Sequence, residues 1–85
     1  MAYEIELAAS AKKQFDKLPA NIRQRLAKTI NQLSTTPRPP GVTKLKGEDQ
    51  LYRVRVGDYR IVYRIEDNRL LVLILKVGHR RAVYR

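Results

Sequence analysis

A hairpin pattern at residues 51–65 constrains the fold of this chain more than any other feature. Apolar and basic residues alternate on both sides of Gly57-Asp58, and a period of two is typical of β-strands. A two-residue loop that begins with glycine suits a tight hairpin turn and fixes the register of the two strands. The predicted cross-strand pairs are Val56 with Tyr59, Arg55 with Arg60, Val54 with Ile61, and Arg53 with Val62.

The predicted hairpin places arginine opposite arginine. Because side chains alternate between faces, Arg53, Arg55, Arg60 and Arg64 share one face, on which we expect no acidic residue in either strand. Like charges directly opposite each other destabilise a strand pair by a few tenths of a kcal/mol up to about 1 kcal/mol. We therefore interpret the cluster as an anion-binding surface. A solvated basic face without a ligand is the alternative.

The charge balance also indicates an anionic partner. The 85 residues include 18 Lys and Arg against 8 Asp and Glu, a formal net charge of +10. Such an excess suggests nucleic acid, an anionic membrane or an acidic protein. A membrane is the least favoured, because no apolar run approaches the about 20 residues of a spanning helix and the start lacks a signal-peptide pattern. We expect a single cytoplasmic domain over residues 1–85.

Cysteine is absent and histidine occurs once. This composition argues against a disulfide framework and against a structural metal site, both of which need several such residues. We therefore expect the fold to depend on its hydrophobic core.

The N-terminal half predicts one strand and two helices. Residues 3–7 alternate as a strand does, and Ser10 is a candidate cap for a helix over residues 11–18. Pro19 suits the first turn of a second helix. The apolar stripe of that helix consists of Ile22, Leu26, Ile30 and Leu33.

The C-terminal half predicts a loop followed by three strands. The proline-rich residues 35–41 interrupt regular structure, and the nearly continuous apolar run at 69–77 predicts a strand buried on both faces. Asp67-Asn68 is the expected turn before that strand. The apolar face that should receive the helices carries Tyr59, Ile61, Tyr63 and Ile65. The arginine-bearing face should also carry Leu71, Leu73, Leu75 and Val77.

Three segments, at residues 44–47, 51–60 and 78–84, resemble the RelE/ParE superfamily of bacterial toxins. The resemblance covers nearly the whole chain and implies an α+β fold, a small antiparallel sheet with two N-terminal helices packed on one face. The RelE branch implies a ribosome-dependent endoribonuclease that cuts mRNA in the ribosomal A site by attack of the RNA's own 2′-OH, with no cofactor and no metal.

The resemblance further implies which residues form the site. The family's basic and tyrosine positions fall on arginines 53, 55, 60 and 80 and on Tyr84, whereas His79 is a candidate because its ordinary pKa is about 6.5. The family often carries lysines where this chain has Arg53 and Arg55, and arginine effectively cannot lose its proton. The candidate catalytic residues are Arg53, Arg55, Arg60, His79, Arg80 and Tyr84, and the candidate RNA-binding residues are Lys44, Lys46, Arg64 and Arg81.

The same resemblance implies the partners. We expect a cognate acidic, RelB-like antitoxin, the ribosome with its mRNA, and operator DNA only through the antitoxin complex, with no membrane. Two alternatives stay open. One is a ParE-like inhibitor of DNA gyrase, and the other is a non-catalytic nucleic-acid-binding or co-repressor module.

Overall fold

The computed structural model describes residues 2–47 and 50–79, which form two helices and one five-stranded sheet. The elements in chain order are β1 (Glu4–Leu7), α1 (Ala9–Asp16), α2 (Ala20–Gln32), β2 (Thr43–Lys44), β3 (Leu51–Val56), β4 (Tyr59–Glu66) and β5 (Leu71–His79). A single 3₁₀ turn, Asp67–Arg69, joins β4 to β5 where a turn was predicted. Among the described residues, no helix is long and apolar enough to cross a membrane.

The predicted α+β fold is confirmed, with two differences in topology: a short strand, β2, precedes the hairpin where only loop was predicted, and the sheet is mixed rather than antiparallel throughout. The strand order is β1-β5-β4-β3-β2, and each of the last four strands is antiparallel to its neighbours among them. β1 instead runs parallel to β5. The two helices carry the chain from β1 across the sheet to its other edge, so no hairpin ties the direction of β1 to that of β5.

The hairpin register is confirmed at every predicted pair, including Arg55 opposite Arg60. Gly57 adopts a φ of +61°, a left-handed conformation that glycine reaches without steric cost. The two-residue turn therefore fixes which side chains share a face.

The helices cover one face of the sheet, called here the helix-side face. Leu26, Ile30 and Leu33 of the predicted stripe are buried, and Ile22 packs at its margin. They meet the apolar side chains of the strands, among which Tyr63, at 0% exposure, is the largest. The sheet contribution to this core consists of Tyr52, Val54, Ile61, Tyr63, Ile65, Val72, Ile74 and Val77.

The capping role predicted for Ser10 is wrong. The helix begins one residue before Ser10, with Ala8 at the N-cap and no side-chain cap. The backbone N–H of Ala8 donates to the Ile74 carbonyl at 2.8 Å, so the sheet holds the start of α1 and the helix can begin directly after β1.

The prediction for the last strand is wrong at Val77. Val62 pairs with Lys76 and Tyr63 with Ile74, so Leu75 is an extra residue, a β-bulge. An extra residue exchanges the faces of everything after it, which moves Val77 into the core opposite Ile61. The Val77 N–H donates instead to the side-chain oxygen of Gln14 on α1, at 3.0 Å.

The proline-rich loop between α2 and β2 is held by a set of contacts that we call the loop anchor (Tyr3, Arg38, Tyr52, Tyr63 and Asp67). Arg38 reaches both carboxylate oxygens of Asp67, at 2.9 and 3.3 Å, and its guanidinium lies 5.2 Å above the Tyr52 ring. Tyr3 donates to Asp67 at 2.7 Å, and Tyr63 donates to the Pro37 carbonyl at 2.7 Å.

Three acidic groups of the loop anchor have shifted pKa values, namely Asp67, Tyr3 and Tyr63. The hydrogen bond from Arg38, reinforced by that from Tyr3, lowers the pKa of Asp67. The hydrogen bond to Asp67 raises the pKa of Tyr3, and burial raises the pKa of Tyr63. The anchor is therefore most complete when the carboxylate is charged and both phenols are neutral.

Candidate functional site

Three arginines and the start of β2 surround a cleft of about 140 Å³ on the sheet face opposite the helices. We call this face the arginine face, because it carries Arg53, Arg55, Arg60 and Arg64, and we call the space the arginine cleft. Its lining residues are Gly41, Thr43, Arg53, Arg55 and Arg60.

The hairpin holds the three arginines of the cleft. Arg53 and Arg55 are two residues apart on β3 and therefore share a face, and Arg60 lies directly opposite Arg55. Arg60 is only 6% exposed, and its Nη1 donates to the Tyr59 carbonyl at 3.5 Å. Arg53 is half-buried, whereas Arg55 is exposed. The cleft thus combines a fixed guanidinium with a more accessible one.

The cleft suits an anion with several oxygen atoms. Its described lining contains no acidic side chain, and each guanidinium is permanently charged and donates up to five hydrogen bonds. The planar fork of a guanidinium matches two oxygens of a phosphate at once. A phosphodiester is therefore a suitable ligand for this geometry.

A tight turn brings β2 to the cleft. The Val42 N–H donates to the Pro39 carbonyl at 3.1 Å, Pro40 occupies the second position of the turn, and Gly41 has a φ of +85°. These features define a type II turn, which favours proline followed by glycine. The turn leads into the pairing of Thr43 with Arg53, which puts Thr43 on the arginine face.

Sequence reasoning missed Gly41 and Thr43, although the Pro-Pro-Gly signal was present. The residue next to Thr43, the predicted RNA ligand Lys44, pairs with Tyr52 and so belongs to the opposite side of the sheet. Lys46 is exposed in the following turn and does not line the cleft. The structure therefore does not bring either lysine to the three arginines.

Arg64 lies on the arginine face but beyond the cleft, between Leu51 and Leu73. Its Nε is buried and has no hydrogen-bond partner within the described part of the chain. β4 also continues to Glu66, whose carboxylate shares this face and pairs with Arg69 at 3.1 Å. The expectation that neither strand of the hairpin carries an acid on this face is therefore wrong at the end of β4.

The structure does not bring His79 into the cleft. His79 pairs with Tyr59, and the two rings meet edge to face with their centroids 5.6 Å apart. The bulge in β5 is the cause. It shifts the alternation of the residues that follow it, so that the residues opposite Tyr59 and Ile61 lie on the helix-side face. The other C-terminal candidates, Arg80, Arg81 and Tyr84, lie outside the described residues.

A further arginine reaches the end of the hairpin from α2. The Nη2 of Arg25 is 2.8 Å from the position that a Cβ on Gly57 would occupy. Arg25 lies outside the apolar stripe that the sequence predicts for α2. A contact between segments 32 residues apart gives no local signal by which it could have been found.

The family model described as ParE toxin of type II toxin-antitoxin system, parDE, matches residues 5–84. The chain belongs to this toxin family. Among the curated relatives of this ParE-family chain, toxin RelG of Mycobacterium tuberculosis is 31% identical over 86 residues, which cover 100% of the chain and 99% of RelG. The mRNA interferase toxin RelE of Escherichia coli K12 is 30% identical over 82 residues, which cover 94% of the chain and 85% of RelE.

Solved structures share the fold of this ParE-family chain. A chain of the archaeal RelE–RelB complex from Pyrococcus horikoshii superposes with a TM-score of 0.83 at 30% identity, covering 94% of this chain and 97% of that one. A chain of the intact Escherichia coli RelBE toxin–antitoxin complex gives 0.82 at 29% identity, covering 92% and 96%. By its relatives, this member of the family is RelE-like.

Proposed function

We propose that this RelE-like chain is an endoribonuclease that cleaves mRNA on the ribosome and that the arginine cleft receives the scissile phosphate. The observation that carries the proposal is the convergence of Arg53, Arg55 and Arg60 on one cleft with no acidic side chain in its described lining. The name mRNA interferase, borne by the Escherichia coli K12 relative, supports the same reaction.

The reaction is an internal transesterification of RNA. The 2′-oxygen attacks the adjacent phosphorus, the bond from phosphorus to the 5′-oxygen breaks, and the products are a 2′,3′-cyclic phosphate and a 5′-hydroxyl. One proton leaves the 2′-OH and one is delivered to the departing 5′-oxygen. Negative charge grows on the phosphate oxygens in the transition state, and fixed guanidinium donors stabilise it there.

Arg60 is the leading phosphate clamp, because burial restricts its guanidinium while the hairpin holds it opposite Arg55. Arg53 and Arg55 add charge from the neighbouring strand. Permanently protonated guanidinium groups stabilise charge but do not relay protons. The proton-transfer roles of His79 and Tyr84 stay predictions, and for His79 the position on the helix-side face speaks against direct contact with the phosphate.

The replacement of Arg60 by alanine tests the proposal. We expect Arg60→Ala to reduce cleavage of ribosome-bound mRNA by about 10²–10³-fold, the usual loss when one transition-state donor is removed. The matched control is Arg69→Ala, which removes the same charge from an exposed side chain that pairs with the half-buried Glu66 outside the cleft. Equal cleavage by the wild type and Arg60→Ala would exclude the cleft as the phosphate site.

Free RNA should be a poor substrate for the isolated protein. The cleft has a volume of only about 140 Å³, and its described side chains supply no group that titrates near neutral pH. Alignment of the 2′-OH must then depend in part on the ribosome, which holds the message in one conformation. Rapid cleavage of the naked message at the same protein concentration would contradict this expectation.

One competing function is inhibition of DNA gyrase, which the resemblance to ParE toxins implies, and the matching family model carries the ParE name. A paired assay separates the two proposals. Cleaved mRNA that maps to ribosomal A sites with normal DNA supercoiling supports the nuclease. Loss of supercoiling with intact mRNA supports gyrase inhibition, and neither effect supports a non-catalytic nucleic-acid-binding module.

The proposed protein partner is an acidic, RelB-like antitoxin. The related toxins from Escherichia coli and Pyrococcus horikoshii were solved in complex with RelB proteins. The net charge of +10 attracts an acidic segment over long range, at a rate that falls as ionic strength rises. Co-expression with the neighbouring open reading frame should restore growth, and failure of its product to bind would contradict this part of the proposal.

A further inference from the structure

One hydroxyl lies among the described side chains of the arginine cleft, and it belongs to Thr43. Thr43 is exposed, and its pairing with Arg53 puts its side chain on the arginine face. Its Oγ1 makes no hydrogen bond within the described part of the chain. The hydroxyl is therefore available to a ligand in the cleft.

Thr43 supplies a function that the three arginines lack. A guanidinium donates hydrogen bonds but accepts none, whereas a threonine hydroxyl has one donor and two acceptor lone pairs. A ribose 2′-OH that is about to attack phosphorus needs an acceptor for its own hydrogen. Among the described side chains that line the cleft, only Thr43 can be that acceptor.

We propose that Thr43 contacts the ribose of the cleaved nucleotide, with Oγ1 accepting a hydrogen bond from the 2′-OH. The inference deepens the proposed nuclease function and rests on it. The contact orients the 2′-oxygen beside the phosphate that Arg60 holds, which favours in-line attack. It also distinguishes RNA from DNA, because DNA lacks the 2′-OH.

The backbone around Thr43 is suited to this role. The type II turn closed by Pro39 and Val42 leads directly into β2. A Cβ on Gly41 would meet no atom within 4 Å, so the cleft is open on this side to a nucleotide. Threonine is β-branched, and its restricted χ1 limits the directions in which Oγ1 can point.

A binding experiment tests the ribose contact without requiring cleavage. The probes are a short single-stranded RNA and a DNA of the same sequence with deoxyuridine for uridine, so that the 2′-OH is their only difference. We expect the wild type to prefer the RNA by about tenfold, the upper range for one hydrogen bond. Thr43→Val should lose most of this preference, whereas Thr43→Ser should keep it.

The control is Thr36→Val, which makes the same change at an exposed threonine of the loop, outside the cleft lining. It should retain the wild-type preference. Three results would overturn the inference: equal binding of RNA and DNA by the wild type, an unchanged preference in Thr43→Val, or equal losses in Thr43→Val and Thr43→Ser. The last result would assign the effect to strand packing rather than to the hydroxyl.

A cleavage experiment on ribosomes separates this inference from the proposed function. We expect Thr43→Val to slow single-turnover cleavage by about tenfold, less than Arg60→Ala does. A wild type that prefers RNA but leaves ribosome-bound mRNA intact would defeat the nuclease and retain the ribose contact. Normal cleavage by Thr43→Val would defeat the proposed alignment of the 2′-OH while the nuclease stands.

Discussion

Substitution of Gly57 tests the turn that places Arg55 opposite Arg60. Gly57 has a φ of +61°, and an L-residue with a Cβ pays about 1–2 kcal/mol to adopt the left-handed conformation. Alanine also lowers the conformational entropy of the unfolded chain, which stabilises the folded protein by about 0.4–1 kcal/mol. The free energy of unfolding of Gly57→Ala should therefore fall by about 1 kcal/mol.

A second effect at Gly57 is crowding by Arg25. A new Cβ would lie 2.8 Å from Nη2 of Arg25, which is closer than real Cβ contacts. Arg25 is exposed, however, and the crowded atom is the far end of a flexible side chain. The guanidinium can swing away, so we assign the main loss to the backbone rather than to the contact.

Gly57→Asn is the matched variant, because asparagine carries the same Cβ but adopts the left-handed conformation more readily. Thermal unfolding should show a Tm lowered by about 4–8 °C for Gly57→Ala, the shift that 1 kcal/mol produces in a domain of this size. Gly57→Asn should lose about half as much. Equal losses in both variants, restored in both by Arg25→Ala, would refute the backbone argument and identify crowding as the cause.

Three further predictions concern charge and pH. Arg55→Thr should raise the free energy of unfolding by a few tenths of a kcal/mol up to about 1 kcal/mol in denaturant titrations at low salt, because it removes a like charge opposite Arg60. The gain should shrink in about 1 M salt, which screens the repulsion. A gain that does not depend on salt would contradict like-charge repulsion. The folded protein lowers the pKa of Asp67, so the stabilisation that the charged Asp67 provides is present above the ordinary aspartate pKa of 3.8 and is lost as pH falls below that value. In Arg38→Met, the free energy of unfolding should therefore fall less over the same pH range. Because burial raises the pKa of Tyr63, the free energy of unfolding should fall as pH rises above the ordinary tyrosine pKa of 10.0. Tyr63→Phe should be less sensitive to alkali. At neutral pH this variant should be less stable by about 1 kcal/mol, because it lacks the hydrogen bond to the Pro37 carbonyl.

The hairpin could be predicted from sequence because every determinant of it is local. Turn length, the glycine at position 57 and strict alternation act within 15 residues, and together they permit one register. The three arginines of the cleft follow from that register alone. The stripe of α2 is equally local, since four apolar residues at helical spacing define one face.

The bulge in β5 could not be predicted because its partner is distant. Residues 71–77 are apolar almost throughout, so the sequence contains no alternation that an extra residue would interrupt. The freed Val77 N–H is satisfied by Gln14, 63 residues earlier. The sequence places Val77 on the wrong face and predicts that His79 lies near the cleft. Both errors arise because the sequence does not reveal the bulge or the contact that accompanies it.

The register of β2 could not be predicted for a related reason. Whether Thr43 or Lys44 joins the arginines depends on a difference of one residue at the end of a proline-rich loop. The turn at Gly41 and the loop anchor decide it together, and the anchor joins Arg38 to residues that follow it by 14 and by 29 positions. The sequence predicts Lys44 as an RNA ligand because of its charge, whereas in the structure it is Thr43 that lies on the arginine face.

The loop anchor has a consequence for genetic screens of a protein of this kind. Survivors selected from a toxic gene carry changes that abolish activity, and such changes are usually taken to mark the active site. Here Asp67 and Tyr3 hold the segment that leads, through Arg38, to the wall of the cleft, although neither lines it. Substitutions of Asp67, which is exposed, and of Tyr3, which is half-buried, should appear among the survivors, because they alter the geometry of the cleft in chains that still fold and still present all three arginines.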